Sequence, residues 1–332
     1  MKKSIKATEL KVGMHVKLPA SWFDHPFLRN EFKISSRDQI RKIIDTGFKE
    51  VLVDLEDRGV EDKESPEYRD KHPSPPLKWE KDKLVPDELR EAVTSNTLAP
   101  AEKTAIVYQS SLTIMERLLQ DPKAENIREA KEGIAEVVDF ILSEDTIAQN
   151  LLTITSHDFY TYTHSVNVGV LSIFFSKALF KNSHAHNMHE LGAGFFLHDI
   201  GKVRIDSSVL DKPRRLTDEE KLQLRRHPYE GYKILKDAEQ LTEECRIITI
   251  QHHEREDGTG YPEKLRGDDI HIYARICCIV DVYDALTADR PYQKKLKPFD
   301  ALTLMKKQML NHFSQDLFEK FVLSLAGSPL TN

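Results

Sequence analysis

The chain has 332 residues, of which 39% are hydrophobic and 31% charged, and its net charge is −6. That balance describes a globular protein and argues against a binder of nucleic-acid polymers, which would carry a basic excess. Three cysteines make no disulfide framework, the opening MKKSIKATEL lacks the apolar run of a signal peptide, and the longest apolar stretch, 166–180, is interrupted by Ser172, Ser176 and Lys177, so a soluble protein of the reducing cytoplasm, with no membrane span, is expected.

Residues 1–58 read as a small α+β unit. Leu10, Val12, Met14, Val16 and Leu18 alternate with Lys11, Gly13, His15 and Lys17, the period-two pattern of a half-buried strand. Ser36 and Gln39 make a capping box for a helix that carries Ile40, Ile43 and Ile44 and ends at Gly47. The run VLVDL at 51–55 reads as a second, buried strand. Residues 59–100 are assigned to a linker. Its first part, 59–87, holds five of the 15 prolines among many charges and cannot bury enough apolar area to fold alone. A helical pattern sets in near 88.

Residues 101–150 read as a helical connector. One helix runs over 101–119 and stops at Asp121-Pro122. Ile127, Ile134, Val137, Val138, Ile141 and Leu142 then form one apolar stripe. The two helices are expected to pack on each other or on a second subunit, as in a homodimer. From 151 to 327 the pattern is all-α. A helix starting at Asp158 is apolar nearly all round through Phe175, which places it centrally. Further helices are expected over 189–197, 217–226, 229–235 after a break at Pro228, 243–252, 270–287, 299–311 and 315–325. The fold class is therefore mainly α, an all-α helical domain behind a small α+β domain.

The chemistry concentrates in this second half. Ten of the 14 histidines fall between His157 and His271, and crowded imidazoles point to a transition-metal site. His198 and Asp199 stand side by side in apolar sequence. An ionised carboxylate there is costly unless paired, and a metal ion is its strongest partner. HHEREDGTGYP at 252–262 looks like the other half of the same site.

Five ordered motifs carry a family resemblance: YTYTHS at 160–165, HDIGK at 198–202, RRHP at 225–228, HHEREDGTGYPEKLRGDDI at 252–270 and ARICCIVDVYDALTADRPY at 274–292. Over residues 150–325 the chain resembles the HD-GYP family, a branch of the HD metal-dependent phosphohydrolases. The first 58 residues resemble a small uncharacterised domain that often precedes it, in LKVGMHV and SWFDHPFL.

The resemblance implies metal ligands at His164, His198, Asp199, His227, His252, His253 and Asp281, and two iron or manganese ions. Imidazole-rich ligation also favours such metals over magnesium or calcium. Asp199 is expected to bridge, because a carboxylate has two oxygens and an imidazole one available lone pair. His164, His198 and Asp281 would complete one metal site, and His227, His252 and His253 the other. Two divalent ions, two carboxylates and a bridging hydroxide nucleophile leave a charge of about +1, suited to a phosphodiester anion. Lys202 is expected to hold a phosphate oxygen and stabilise developing charge, against the alternative of an exposed lysine at a helix end. Tyr261 offers a ring for a base and a hydroxyl for phosphate, against that of a buried loop anchor. Arg290 matches a position expected to contact substrate, against that of a surface salt bridge.

Asp284 and Glu254 are expected to support ligands from behind, or to serve as a helix cap and a structural ion pair. His157, His184, His186 and His189 are set aside as solvated. Tyr160 stands where some relatives carry a glutamate and a third metal, so two metals are expected. Gln293 stands where a basic residue is common, which puts one substrate contact in doubt. The implied activity is hydrolysis of cyclic di-GMP to linear pGpG, with the final product left open between pGpG and GMP. The alternatives are a phosphodiesterase for hybrid cyclic GMP-AMP or another nucleotide, and a sensor or scaffold that binds a partner such as a diguanylate cyclase.

Overall fold

The computed structural model describes residues 2–11, 14–17, 31–34, 40, 43, 50–54, 83–143, 161–181, 185–210, 216–288 and 295–326. The chain divides into two compact units, Met1–His72 with Asp206–Lys221, and Pro73–Ile205 with Leu222–Asn332.

In the first unit four short strands form one antiparallel sheet: β1 (Lys2–Lys6), β2 (His15–Lys17), β3 (Glu31–Lys33) and β4 (Glu50–Asp54), in the order β1-β4-β2-β3. Ile5 stands opposite Val51, and Val16 opposite both Phe32 and Val53. Leu10, Val16, Ile34, Ile43, Val51 and Val53 make a small separate core. The alternating run from Leu10 to Leu18 is only partly a strand. Among its described residues only His15–Lys17 pair, and Leu10 is buried beside a 3-10 turn (Ala7–Glu9). Alternation reports burial on one face, and burial does not require a ladder. The two outer strands, β1 and β3, are too polar to stand out in sequence. Of the helix expected over 36–47 only Ile40 and Ile43 are among the described residues, and residues 59–82 of the linker lie outside them.

The second unit is helices and turns, with no strand among its described residues. It comprises α1 (Asp87–Thr94), α2 (Pro100–Gln120), α3 (Ala124–Ser143), α4 (Thr161–Leu179), α5 (Met188–Leu197), a 3-10 turn (Ile200–Arg204), α7 (His227–Asp237), α8 (Glu243–Gln251), α9 (Ile272–Thr287), α10 (Pro298–Gln308) and α11 (Gln315–Ala326). Between the 3-10 turn and α7 lies α6 (Asp218–Leu224), whose first residues belong to the other unit. The stretch assigned to the linker, 59–100, thus ends in a helix. Leu89 and Ala92 of α1 are buried, and a fully buried leucine contributes about 1.5–3 kcal/mol. The helices α2 and α3 share one continuous core with the helices after 161.

The central element is α4, which packs against α2, α3, α5, α9 and α11. It is buried almost continuously from Thr163 to Phe175, and that burial includes His164 and Asn167. A helix apolar on all sides has no solvent face, so its few polar groups must find partners inside. Pro228 opens α7 rather than breaking a helix. It sits in the first turn, where its missing N–H costs nothing. His227 is therefore the first residue of α7, at the end that faces the 3-10 turn. That turn lies close to α7 because Gly201 has no side chain: a Cβ there would meet the His227 carbonyl oxygen at 1.9 Å. No helix among the described residues is long and apolar enough to cross a membrane.

Candidate metal centre

Five elements deliver the centre. His164 comes from α4, His198 and Asp199 from the turn after α5, His227 from the start of α7, His252 and His253 from the end of α8, and Asp281 from α9. Asp199 lies at the middle. Its Oδ1 faces His227 Nε2 at 3.2 Å and His252 Nε2 at 3.8 Å. Its Oδ2 faces His198 Nε2 at 3.3 Å and His164 Nε2 at 3.5 Å. Asp281 Oδ1 is 3.1 Å from His164 Nε2, and its Oδ2 is 3.6 Å from His253 Nδ1. Two groups of ligand atoms result, Asp199 with His227, His252 and His253, and His164 with His198 and Asp281. Within each group the atoms lie within 4.8 Å of one another.

Hydrogen bonds fix which nitrogen each ring presents. His198 Nδ1 donates to the Phe195 carbonyl at 2.8 Å, and His227 Nδ1 to the Leu224 carbonyl at 2.8 Å. His252 Nδ1 donates to the Ile248 and Thr249 carbonyls, both at 3.0 Å. His164 Nδ1 donates to Asp284 Oδ2 at 2.7 Å. A carbonyl or carboxylate takes only a donor, so Nδ1 carries a proton in all four rings, and Nε2 is the nitrogen each would offer a metal on the inner side. His227 Nε2 and His252 Nε2 stand 3.2 Å apart. Two lone pairs facing each other have no bond to make, and the spacing matches neighbouring ligands at about 2.0–2.1 Å from one ion. Buried His198 Nε2 and Asp199 Oδ1 have no hydrogen-bond partner in the protein. Orphaned acceptors of this kind cost about 1–3 kcal/mol each unless a cation takes them. These residues fit a divalent metal.

The charges agree. Burial holds His198 and His253 below the usual histidine range and His227 down to about 3, so these rings are neutral. His164 differs: burial opposes a charge on it, but Asp281 and Asp284 outweigh burial and push its pKa up to about 9, so the metal-free ring also holds a proton on Nε2, which a bound cation would replace. Burial would raise both Asp199 and Asp281, yet Lys202 holds the first far below the carboxylate range, and His164 holds the second there.

The open side is marked by His253, Asp281 and Lys202, whose side chains are 24%, 13% and 22% exposed, against 0–4% for His164, His198, Asp199, His227 and His252. Lys202 pairs with Asp199 Oδ2. The Tyr261 ring lies 4.7 Å from that of His253, and the Arg225 guanidinium sits 5.1 Å above it. Burial and the charges of Asp199 and Asp281 raise the Tyr261 phenol, which therefore stays protonated. The loop beneath is tied at several points. Gly258 adopts φ +74°, open to glycine at little cost. Asp257 Oδ1 accepts from Thr259 N at 2.9 Å, and Tyr261 N donates to the His253 carbonyl at 3.2 Å. Glu254 is buried and accepts from the backbone N–H groups of Glu263 (2.6 Å), Lys264 (3.1 Å) and Leu265 (3.0 Å). Burial pushes its carboxyl up, against the pull of those N–H groups. Its role is a loop clamp, not an ion pair.

Arg290, Tyr160, His157, His184 and Gln293 lie outside the described residues. His186 bonds to the Tyr273 hydroxyl and His189 to Asp139, and neither belongs to a metal-ligand group among the described residues. Sequence reasoning passed over Arg225 and Asn167. Arg225 had a signal, two residues before His227. Asn167 stands three residues after His164, as Asp284 does after Asp281, and each pair shares a helix face.

An all-α domain that brings histidines and aspartates from separate helices around one buried carboxylate defines a metal-dependent protein of the histidine-aspartate type. Comparison with known families agrees. Residues 150–317 match the HD domain, and residues 2–136 match a domain of unknown function, DUF3391. The chain belongs to the HD domain family, in its HD-GYP branch. It is 32% identical, over 99% of its length and 78% of the relative's, to a cyclic di-GMP phosphodiesterase of Pseudomonas aeruginosa. It is 33% identical to the cyclic di-GMP phosphodiesterase response regulator RpfG of Xanthomonas campestris, over 64% of this chain and 52% of that one. It is 40% identical to a 3'3'-cGAMP-specific phosphodiesterase of Vibrio cholerae, over 37% of this chain and 24% of the relative. The solved structure of an HDG"Y"P protein from Bdellovibrio bacteriovorus shares the fold, with a TM-score of 0.60 at 17% identity over 98% of this chain and 100% of that one.

Proposed function

We propose that the protein is a phosphodiesterase that opens cyclic di-GMP to linear pGpG, with GMP as the product of a second cut. What supports this most is the set of histidine Nε2 atoms turned inward around Asp199, in a chain whose relatives are named cyclic di-GMP phosphodiesterases. We assign two divalent ions, iron or manganese, to the two ligand groups. His164, His198 and Asp281 would hold one, His227, His252 and His253 the other, and Asp199 both. When bound, such ions polarise phosphate oxygens and lower the pKa of water.

The chain's own residues do the rest. Lys202, on the open side, binds a non-bridging phosphate oxygen and balances charge as it develops. Tyr261 offers a protonated phenol and a ring face to the substrate, and Arg225 adds a planar cation beside it. Arg290 is proposed as a further substrate contact. Catalysis is assigned to residues 151–327 and an accessory role to residues 1–58. A cytoplasmic location, and association with a diguanylate cyclase or a second copy of the chain, complete the proposal. Fractionation, pull-down and sedimentation test those points.

A second substrate, the hybrid cyclic GMP-AMP, is favoured by the 3'3'-cGAMP-specific relatives. Base choice rests on pocket shape rather than on the metal ligands. The deciding experiment loads the purified protein anaerobically with iron or manganese and measures turnover of both cyclic dinucleotides side by side, with metal content on the same samples. Asp199→Ala is expected to lose metal and activity together. Full activity in that variant, or no turnover by wild type with both metal sites filled, overturns the proposal.

A further inference from the structure

We propose that Tyr108, on α2, is a positioning residue for the metal ligand His164. The two are joined by a buried chain of hydrogen bonds. The Tyr108 hydroxyl donates to Asn167 Oδ1 at 2.8 Å. Asn167 Nδ2 donates to Asp284 Oδ1 at 2.9 Å. Asp284 Oδ2 accepts from His164 Nδ1 at 2.7 Å. Tyr108, Asn167, Asp284 and His164 are each at most 4% exposed. This inference rests on the metal reading of the cluster.

The direction of the chain follows from its donors and acceptors. A carboxylate only accepts, so Asp284 requires the Asn167 NH2 on one side and a His164 N–H on the other. That places a proton on Nδ1 and leaves Nε2, which faces Asp281 and Asp199, as the atom a metal would take. The Asn167 carbonyl must then point away from Asp284, where a buried acceptor needs a donor. The Tyr108 hydroxyl is that donor. With it the amide has one favoured orientation, Asp284 is held from behind, and the His164 ring is fixed in tautomer and in plane.

The chain of bonds also crosses a family boundary. Tyr108 falls in the DUF3391 match, 2–136, whereas His164, Asn167 and Asp284 fall in the HD match, 150–317. In this protein the helix ahead of the HD domain supplies part of the support for a metal ligand. An HD segment cut at 150 would lack it.

Tyr108→Phe removes one hydroxyl and keeps the ring, and Asn167→Asp turns the donor that faces Asp284 into a like charge. Both are made in the full chain. Metal is stripped, Mn2+ binding is titrated by calorimetry and by the loss of the free-ion EPR signal, and the melting temperature of the metal-free protein is recorded. Loss of support behind a ligand weakens metal binding by about 10- to 100-fold, which is expected for Asn167→Asp. The hydroxyl lies one bond further out and is neutral, so about three- to tenfold is expected for Tyr108→Phe. Weakened Mn2+ binding in both variants with a metal-free melting temperature near wild type supports the proposal. A Tyr108→Phe protein that melts lower yet binds Mn2+ as wild type does has lost only a structural bond, and overturns it. Wild-type Mn2+ affinity in both variants overturns it as well. If the wild-type protein takes up neither Mn2+ nor Fe2+, the metal reading falls first and this one with it.

Discussion

The clamp at Glu254 gives a direct test of how the open side is built. Glu254 follows two ligand residues, yet its carboxylate points away from the metal groups and holds the backbone of residues 263–265. Glu254→Gln keeps the shape. The amide oxygen can replace Oε1 and still accept from Glu263 and Lys264. The amide NH2 then meets the Leu265 N–H, so one bond is lost and two donors face each other. The cost is about 1–3 kcal/mol, or roughly 5- to 150-fold in the local opening equilibrium of the Leu265 amide. Hydrogen exchange followed by mass spectrometry reads that change directly. Because the loop carries Tyr261 and no metal ligand, KM for the cyclic dinucleotide should rise while bound metal stays at the wild-type level. Wild-type exchange at Leu265, or loss of metal with the loop still protected, would refute the assignment.

Two further outcomes follow from packing. In Gly201→Ala the new methyl meets the His227 carbonyl, so the turn carrying Lys202 must move off α7; a loss of about 1–3 kcal/mol is expected, roughly a 3–10 °C fall in melting temperature, together with weaker metal uptake because Asp199 and His227 move apart. A variant that melts and binds metal as wild type does would contradict the close approach. Cys245, Cys277 and Cys278 are buried and burial raises their pKa values, Cys278 up to about 12, so little thiolate forms at pH 8. Iodoacetamide should leave all three unmodified in the folded protein and label all three in guanidinium, as mass spectrometry would show; rapid labelling of the native protein would contradict that burial.

Much of the site was legible in the chain itself. His198-Asp199 in apolar sequence, the crowded histidines and the Gly-Tyr-Pro loop announce a metal and a mouth, because charge in apolar surroundings needs a partner and metal ligands are a short list of residue types. The helix expected over 158–175, seen as α4 (Thr161–Leu179), announced its central place by having no polar face. Periodicity also located most helices to within a few residues. At α1 it marked a helical onset near 88, yet those residues were still assigned to the linker, because eight residues give only two buried side chains.

Other features depended on which surfaces meet. Sequence could propose Asp199 as a bridge, but only packing shows Oδ1 turned to His227 and His252 and Oδ2 to His164 and His198. The choice of nitrogen on His198, His227 and His252 depends on carbonyls three or four residues back, near the end of a helix, and that on His164 depends on Asp284 from another helix. Glu254 reads as an acid beside two histidines, and becomes a loop clamp because residues 263–265 fold back over it. The bond from Tyr108 to Asn167 spans 59 positions and exists because α2 packs on α4. The residue types that can do the chemistry are written locally in the chain. The direction in which each one points is set by contacts between distant segments, and those form only in the folded core.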